Sequence, residues 1–370
     1  MVAGDPFQGG ASWAVLQYVD GLRRMGHDVV FVEPVRDEAL RPSGATLAES
    51  DNARYFASLP FVGSEDRSAL LLADSHETIG IPYSRLASLV EDADVLLNIS
   101  GLLRDERLLG AARKRVFVDL DPGFNQVWSL RGHDLGLERH DVHVTVGLRL
   151  GKPGCRVPTC GLDWIHTLPP VVLEHWPPAR EPTRDAFTTI GNWRSYGSLE
   201  HQGVEYGQRA HSFRQLFELP QLTAAAFEPA LAIHPDEERD LRALREHGWR
   251  VLDPVAVAGT PDRYTNFIRE SKAELAVPKL GYVASRSGWF SDRTACYLAA
   301  GRPALCWDTG FSLEIETGAG LIAFENLAGA VAGVAQIESD RVRHGAAARA
   351  LAEERFDSRK VLTRLLERCA

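Results

Sequence analysis

The sequence has little that would place it in a membrane, in a secretory pathway or within a disulfide framework. No apolar run approaches the roughly 18 residues that a membrane span needs. The start MVAGDPFQGGASW lacks the charged beginning and apolar centre of a signal peptide. The five cysteines are an odd number without framework spacing, so disulfides are not expected. A reducing cytoplasm is therefore the predicted location.

Charge of one sign is not concentrated anywhere in the chain. The 41 Lys and Arg are scattered among 50 Asp and Glu, giving a formal net charge of -9. A surface that tracks nucleic-acid phosphates is therefore not expected, whereas a small anionic ligand held by a few arginines is compatible with this composition. Lysine is scarce compared with arginine, which hints at a GC-rich bacterial genome. It occurs only at positions 114, 152, 272, 279 and 360.

Short apolar runs alternate with helical patterns along the whole chain, which is typical of βαβ units and a parallel sheet. The 370 residues leave room for two domains. Met1 to Ala3 can form only the stump of a first strand, so we expect either a longer natural reading frame or a sheet with a truncated strand. The further strands predicted in the first half are HDVVFVEP, DVLLNIS, RVFVDLD and VHVTVG, and the continuously apolar runs among them indicate a doubly wound sheet.

A proline-rich stretch interrupts this alternation. Cys155 to Pro182 contains six prolines and has no clear period, which indicates a crossing between domains. Strands are then predicted at AFTTIGNW, LAIHP, WRVLDP, LAVPK, PALCWD and GLIAFEN, and two consecutive helices follow Arg341, the last capped by Asp357 or Ser358. The predicted organisation is an N-terminal domain at 1–168, a linker at 169–185, a C-terminal domain at 186–340 and terminal helices at 341–370.

One segment of the second half predicts an anion-binding site. Ser291 is a suitable N-cap for the helix DRTACYLAA, which ends at Gly301. The free N–H groups and the positive dipole end of such a helix favour a phosphate, and basic side chains nearby can add charge-assisted bonds. The alternative is that these side chains pair with Asp292, Glu274 and other carboxylates on a solvated rim. The basic side chains are Lys279, Arg286 and Arg293.

The strand TTIGNW is expected to end at the same cleft, because ligands in open α/β sheets lie beyond the carboxyl ends of the strands. Gly191, Asn192 and Trp193 occupy this end and are predicted donor-binding residues. Trp193 has two interpretations, packing in the core or contact with a nucleotide or sugar.

Three segments together resemble glycosyltransferases of the GT-B fold, in particular the group 1 type of bacterial enzymes. They are FQGGASWAVLQYVDGLRRMGHDVVFVEP, TTIGNW and ESKAELAVPKLGYVASRSGWFSDRTACYLAAGRPALCWDTGFS. The resemblance implies an α/β protein with two Rossmann-like domains facing a central cleft. It also implies transfer of a hexosyl group from a nucleoside-diphosphate sugar to an acceptor such as a natural product or a cell-surface glycan, without a metal or other cofactor. The glycine loop at Gly9 and Gly10 would face donor and acceptor.

The sequence departs from this family at two positions. Many members carry two glutamates spaced E-x7-E that contact the donor, and the corresponding positions here hold Gly288 and Cys296. By resemblance and position, other polar residues are predicted to replace them. The predicted substitutes are Ser287, Ser291, Asp292 and Arg293, with Asp308 and Thr309 meeting sugar hydroxyls.

An inverting transfer would also need a base near the acceptor hydroxyl. Asp121 is the first candidate because it ends a buried strand beside Pro-Gly, although an aspartate there can equally cap the loop through backbone N–H groups. Asp5, in the loop after the predicted first strand, is the second candidate.

Two sequence patterns resemble metal-binding motifs, and neither is expected to hold a metal ion. Asp119 and Asp121 match a D-x-D motif, but alternate residues of a strand point to opposite faces. The set Cys155, Cys160, His166 and His175 fits zinc spacing poorly.

Two alternatives to sugar transfer remain open at this point. The same architecture serves sugar-nucleotide epimerases, and fold alone does not fix function. The missing glutamate pair also leaves room for a noncatalytic nucleotide- or sugar-binding protein.

Overall fold

The strands of the first half form two sheets rather than one. The computed structural model describes residues 2–62, 66–178 and 181–369; Met1 of the predicted stump and residues 179–180 of the predicted linker lie outside the described residues. One sheet pairs Phe31–Val35 (β1) in parallel with Ser68–Leu72 (β2), which pairs in antiparallel orientation with Thr78–Gly80 (β3). The other sheet is parallel, in chain order Leu96–Ile99 (β4), Arg115–Asp119 (β5), Val142–Thr145 (β6) and Trp164–His166 (β7).

A buried glutamate fixes the N-terminal segment where strand pairing is absent. Glu33 of β1 accepts hydrogen bonds from the backbone N–H groups of Val2, at 2.8 Å, and Gly4, at 3.2 Å. Asn52 donates to the carbonyl oxygen of Ala3 at 2.6 Å. Burial raises the pKa of Glu33, although these backbone donors oppose the shift. Side chains therefore satisfy backbone groups that a ladder would otherwise satisfy.

The second half contains one parallel sheet of five strands, which lie in the order Ala226–Ala232 (β11), Arg184–Asn192 (β8), Ser271–Ala276 (β12), Ala304–Trp307 (β13) and Leu321–Phe324 (β14). The predicted strand WRVLDP is wrong as a full strand: it makes only an isolated bridge between Leu252 and Ala230, because Asp253 and Pro254 begin a helix directly after it. A hairpin that the sequence did not predict follows β8. The strands are Arg184–Asn192 (β8), Leu199–His201 (β9), Val204–Tyr206 (β10), Ala226–Ala232 (β11), Ser271–Ala276 (β12), Ala304–Trp307 (β13) and Leu321–Phe324 (β14).

Helices surround these sheets. In the part of the chain that the structure describes, none of them is long and apolar enough to cross a membrane. Those of the first half are Gly9–Arg24 (α1), Asp51–Ser58 (α2), Tyr83–Asp92 (α3), Glu106–Ala111 (α4) and Phe124–Leu130 (α5). The later ones are Arg209–Arg214 (α6), Leu219–Leu222 (α7), Glu238–Glu246 (α8), Pro254–Ala258 (α9), Pro261–Glu270 (α10), Leu280–Ser285 (α11), Asp292–Ala299 (α12), Leu327–Ser339 (α13), Arg341–Arg355 (α14) and Ser358–Cys369 (α15).

One hydrophobic core continues from the first half into the second. Trp13 and Leu16 of α1 lie in the same buried cluster as Tyr264 of α10 and Tyr297 of α12. The indole N–H of Trp13 also donates to the carbonyl oxygen of Pro261 at 3.0 Å. Rotating one half away from the other would therefore expose apolar surface to water.

The two terminal helices, predicted from the sequence, attach to different halves. α14 packs against α12, whereas α15 packs against α1. Leu362 and Leu365 of α15 share a buried cluster with Tyr18 and Leu22 of α1. Because α14 packs on the second half and α15 packs on the first, the two terminal helices form a second connection between the halves.

The start of α1 provides a test of this close packing. A Cβ atom at Gly9 would lie 2.6 Å from the carbonyl oxygen of Ala258 and would also collide with the backbone of Thr260. We expect Gly9→Ala to lower the free energy of unfolding by about 1–3 kcal/mol, because backbone atoms of the second half would have to move. Denaturant titration measures this change.

Gly110→Ala in α4 is the matched control. A Cβ atom there meets nothing within 4 Å, so this variant is expected to be as stable as the wild type or slightly more stable. Equal stability of Gly9→Ala and wild type would contradict the contact between α1 and the turn before α10.

Candidate functional site

Two buried guanidinium groups meet at the carboxyl end of β8. Arg209, the first residue of α6, donates from Nη1 to the carbonyl oxygen of Ile190 at 3.3 Å. Arg293, the second residue of α12, donates from Nη1 to the same oxygen at 2.6 Å. The end of a central parallel strand is where ligands bind in open α/β sheets. Positive charge is therefore concentrated at the expected ligand position.

Arg293 is neutralised by a carboxylate in the protein interior. Its Nε donates to Oε1 of Glu274 on β12 at 2.6 Å, and Glu274 has 0% exposure. Burial alone would lower the pKa of Arg293, but the charge of Glu274 outweighs it and raises the pKa. The pairing alternative thus holds for Arg293, but the pair lies in the core instead of on a solvated rim.

Arg209 has no such partner. No carboxylate of the described residues forms an ion pair with it, and its Nε has no hydrogen-bond partner. Burial, reinforced by the charge of Arg293, lowers the pKa of Arg209 to about 9. A Cβ atom at Gly191 would lie 2.7 Å from Cζ of Arg209, so glycine is what admits the guanidinium here. The charges of Glu274 and Asp292 oppose the lowering of this pKa, although neither forms an ion pair with Arg209. A bound anion would neutralise this buried guanidinium.

A second cation, Lys279, lies at the start of α11. Its Nζ donates to Oδ2 of Asp121 at 2.9 Å and also to the hydroxyl of Tyr196. Three aromatic rings surround Nζ, at 4.8 Å from the centroid of Phe124, 4.2 Å from Tyr196 and 5.5 Å from Tyr282. Burial lowers the pKa of Lys279, while the charge of Asp121 opposes the shift. The ammonium is thus enclosed by rings and one carboxylate.

Asp121 also accepts hydrogen bonds from the hydroxyl groups of Tyr196 and Tyr282. All three donors come from the second half, whereas Asp121 follows β5 of the first half. Tyr282 stacks on Trp289 with ring centroids 4.4 Å apart. Asp121 is therefore a link between the halves as well as a candidate base.

A buried network within the first half holds the loop that carries Asp121. The carboxylate of Asp119 accepts from Asn125 at 2.6 Å, from Gln126 and Thr145 at 2.9 Å, and from the backbone N–H of Asp121 at 3.0 Å. Burial raises the pKa of Asp119, although these four donors oppose the shift. Asp119 and Asp121 thus bind different partners and do not converge on one point.

The polar residues after α11 mostly hold their own loop. Ser287 is buried and bonds to the carbonyl of Tyr282 at 3.3 Å, and Thr309 donates to the carbonyl of Trp289 at 2.7 Å. Asp308 accepts from the N–H of Gly310 at 2.8 Å and from the hydroxyl of Ser312 at 2.6 Å.

Three further predicted residues lie around the start of α12. Ser291 occupies its N-cap position without a side-chain capping bond, and burial raises the pKa of Asp292. Arg286 is exposed and has a left-handed backbone, with φ of 51°.

The remaining predicted residues are dispersed. Trp193 is in the core, where its indole donates to Asp240 at 2.9 Å, and Asn192 pairs with β11. Asp5 is exposed and accepts from Gln8. Gly9 and Gly10, predicted to form a loop, are instead the first two residues of α1. They face the second half: Gly9 abuts Thr260, and a Cβ atom at Gly10 would lie 2.8 Å from the ring of Tyr264.

Sequence reasoning missed Arg209, Tyr196 and Tyr282. Arg209 begins the helix that follows β8, but the β9–β10 hairpin lies between them in the chain and hid this relation. Tyr196 and Tyr282 gave no signal, because isolated tyrosines near strand and helix ends are most often packing residues.

No three His, Cys, Asp or Glu side chains lie close enough together to hold a metal ion in the ranges 2–62, 66–178 and 181–369. The residues of the discounted zinc set have other partners. His166 bonds to the carbonyl of Leu150 at 2.8 Å, and His175 to Asp20 at 2.7 Å.

Solved structures share this architecture. An alpha-glucosyltransferase in complex with UDP-glucose and DNA containing an abasic site is 13% identical, covers 99% of this chain and 97% of that chain, and has a TM-score of 0.61. HepE of Anabaena, in complex with UDP and glucose, is 11% identical, with 98% and 96% covered and a TM-score of 0.53. Sucrose-phosphate synthase from Thermosynechococcus elongatus is 14% identical, with 100% and 98% covered and a TM-score of 0.52.

These comparisons establish the fold. The chain has the GT-B fold, two Rossmann-like units with C-terminal helices, which confirms the fold class that the sequence predicted. No family model matches the sequence, and no curated protein matches it. Function therefore has to be argued from the site.

The pair of Arg293 and Glu274 yields a stability prediction. Arg293→Ala would leave the carboxylate of Glu274 buried without a counter-charge, so we expect the free energy of unfolding to fall by about 3–5 kcal/mol. Urea titration measures the loss. Replacing both residues by apolar ones should recover part of it.

Arg286→Ala is the control, because Arg286 is exposed and should change stability by no more than about 0.5 kcal/mol. If Arg293→Ala unfolds at the same urea concentration as wild type, Glu274 does not carry a buried charge.

Proposed function

We propose that the protein is a glycosyltransferase that moves a hexosyl group from a nucleoside-diphosphate sugar to an acceptor hydroxyl without a metal ion. The observation that carries the proposal is Arg209, a buried guanidinium without a carboxylate partner at the carboxyl end of β8 in a GT-B fold. The donor diphosphate would lie against Arg209 and Lys279. Because Gly191 has no side chain, the guanidinium of Arg209 fits beside the end of β8.

The chemistry of the transfer suits these groups. As the bond between the sugar and the diphosphate breaks, negative charge develops on the leaving diphosphate. Fixed cations in a site that excludes water stabilise this charge more than water would. Arg209 and Lys279 are both held by neighbours before any donor arrives, so little reorganisation is needed when the bond breaks.

The predicted donor contacts differ in their surroundings. Arg293 acts through the carbonyl of Ile190, where it fixes the same atom that positions Arg209. Ser291 and Asp292, at the start of α12, remain proposed sugar contacts. Asp121 remains the proposed base, with Asp5 as the second candidate.

Acceptor and location are proposed from the sequence. A natural product or a cell-surface glycan is the proposed acceptor class, and the net charge of -9 without a basic cluster argues against a nucleic-acid partner. A cytoplasmic location is supported by the cysteines, because all five are unpaired.

The proposal is tested first by thermal stabilisation with UDP, TDP, GDP, ADP, CDP and their sugars. A ligand that binds only the folded protein raises its melting temperature, so one base should give a selective rise. Release of the nucleoside diphosphate from the bound sugar nucleotide then separates a transferase from a binding protein. No rise with any member of the panel contradicts a nucleotide donor.

Arg209→Met tests the residue on which the proposal rests. We expect donor affinity to fall about tenfold to a hundredfold, the usual effect of losing a charge-assisted bond. The melting temperature without ligand should stay the same or rise, because burying this unpaired charge opposes folding.

Arg242→Met is the control, since Arg242 of α8 is exposed and should leave donor affinity unchanged. Donor affinity that is equal in Arg209→Met and wild type would remove Arg209 from the site.

A further inference from the structure

Lys279 is held by a carboxylate in the free protein. Asp121 comes from the first half, and the groups that bind it, the Lys279 ammonium and the Tyr196 and Tyr282 hydroxyls, come from the second. The carboxylate of Asp121 thus occupies three donors, which come from two segments of the other half: the loop after β8 and the start of α11.

These donors suit a phosphate group as well as they suit a carboxylate. An ammonium and two hydroxyl groups can all donate to non-bridging phosphate oxygens, and charge-assisted bonds of this kind are the stronger class. Tyr196 and Tyr282 both have their pKa raised, by burial first and by the charge of Asp121 second, so they keep their protons and remain donors.

The backbone brings Arg209 and Lys279 close together, because the N–H of Leu280, next to Lys279, donates to the carbonyl oxygen of Gln208, next to Arg209, at 3.4 Å. A diphosphate bound at Arg209 would therefore reach Lys279 and come close to the carboxylate of Asp121. Two anions at such short range repel each other strongly when little water separates them. The diphosphate and the carboxylate of Asp121 therefore compete for Lys279.

We propose that Asp121 is an internal competitor of the donor diphosphate: it occupies Lys279, Tyr196 and Tyr282 in the free protein and is displaced when the donor binds. The proposal rests on the proposed function, because it takes the diphosphate to lie at Arg209 and Lys279. Asp121 keeps the buried ammonium neutralised while the site is empty. Only after displacement is its carboxylate free to accept a proton from an acceptor hydroxyl.

If Asp121 competes with the diphosphate, Asp121→Asn should bind anions more tightly than wild type. Removing a carboxylate that only shapes the site would weaken ligand binding, whereas removing a competitor strengthens it. We expect inorganic pyrophosphate, and the nucleoside diphosphate selected by the panel, to bind Asp121→Asn on the order of tenfold more tightly than wild type, because Lys279 is then available in every molecule. Isothermal titration measures these affinities.

Stability should move in the opposite direction. Without an anion, Asp121→Asn leaves Lys279 buried with no counter-charge, so its melting temperature should be below that of wild type. Saturating pyrophosphate should restore the lost stability, and the rise should exceed that of wild type.

Two further variants separate competition from a general change in charge. Asp94→Asn removes the same charge from a side chain that is 98% exposed, and it should bind pyrophosphate as wild type does. In a Lys279→Met background, Asp121→Asn should no longer tighten binding, because the cation over which they compete is gone. Asp121→Ser provides a second neutral variant, and circular dichroism checks that each variant is folded.

The outcomes distinguish this proposal from the proposed function. If wild type binds the nucleotide and Asp121→Asn binds it equally or less tightly, the competition is wrong and the donor site stands. Tightening that persists with Lys279→Met also overturns the competition. If neither wild type nor Asp121→Asn binds pyrophosphate or any nucleotide, the donor site is wrong and the competition fails with it.

Discussion

Two guanidinium groups share one carbonyl oxygen at the end of β8, and the site depends on how differently their charges are balanced. Glu274 neutralises Arg293 inside the sheet, which allows that side chain to be rigid and permanently charged. Arg209 lies beside it without a carboxylate, so repulsion and burial both disfavour its charge. In the proposed function, this unfavourable energy is relieved when the donor diphosphate binds. Stability would then be given up locally for binding, as is common at functional sites.

The connection between the halves limits how the proposed donor diphosphate could enter the site. A continuous core joins α1 to α10 and α12, and backbone bonds run from Arg149 to Ser287 at 3.1 Å and from Arg156 to Ser285 at 2.7 Å. Large rotation of one half would break these contacts together. Rearrangement of a few side chains costs less, and the bonds of Asp121 to Lys279 and two tyrosines are of that kind. Local exchange of partners is the access route that the packing favours.

The fold was largely predictable because its signals are local. β8, β13 and β14 coincide with predicted runs, whereas the predicted strands LAVPK and LAIHP overlap β12 and β11 by only two residues each, because Lys272 and Glu274 interrupt the apolar pattern of β12. The helix α15 begins where Asp357 caps it, with the N–H of Arg359 donating to its carboxylate at 3.0 Å. The way the N-terminal segment is held was not predictable, because Glu33 is a single polar residue in a strand pattern and nothing nearby shows that it binds Val2 and Gly4.

The site was predicted only in part, because the contacts that build it join residues that are distant in sequence. Lys279 was found because it lies beside the helix motif, and Asp121 because it ends a strand. The partners of these residues are distant in sequence: Asp121 and Tyr282 are 161 positions apart, and Arg293 reaches across the sheet to Ile190, 103 positions away. A side chain's neighbours in such pairs are set by tertiary packing, so a single sequence shows the residue and hides its partner.

Packing between the halves also accounts for the absence of the two glutamates that many members of the resembled family carry. At the first position, Gly288 has φ of +71°, and a Cβ atom there would lie 2.6 Å from Cγ of Arg149 in the first half. At the second, Cys296 is buried against α1 and accepts from Nε2 of Gln17 at 3.6 Å. A glutamate at either position would have to displace the first half. The close contact between the halves therefore leaves no room for these carboxylates, and in the proposed function donor recognition comes from groups that already lie in the interface: Arg209, Lys279 and the tyrosines that share Asp121.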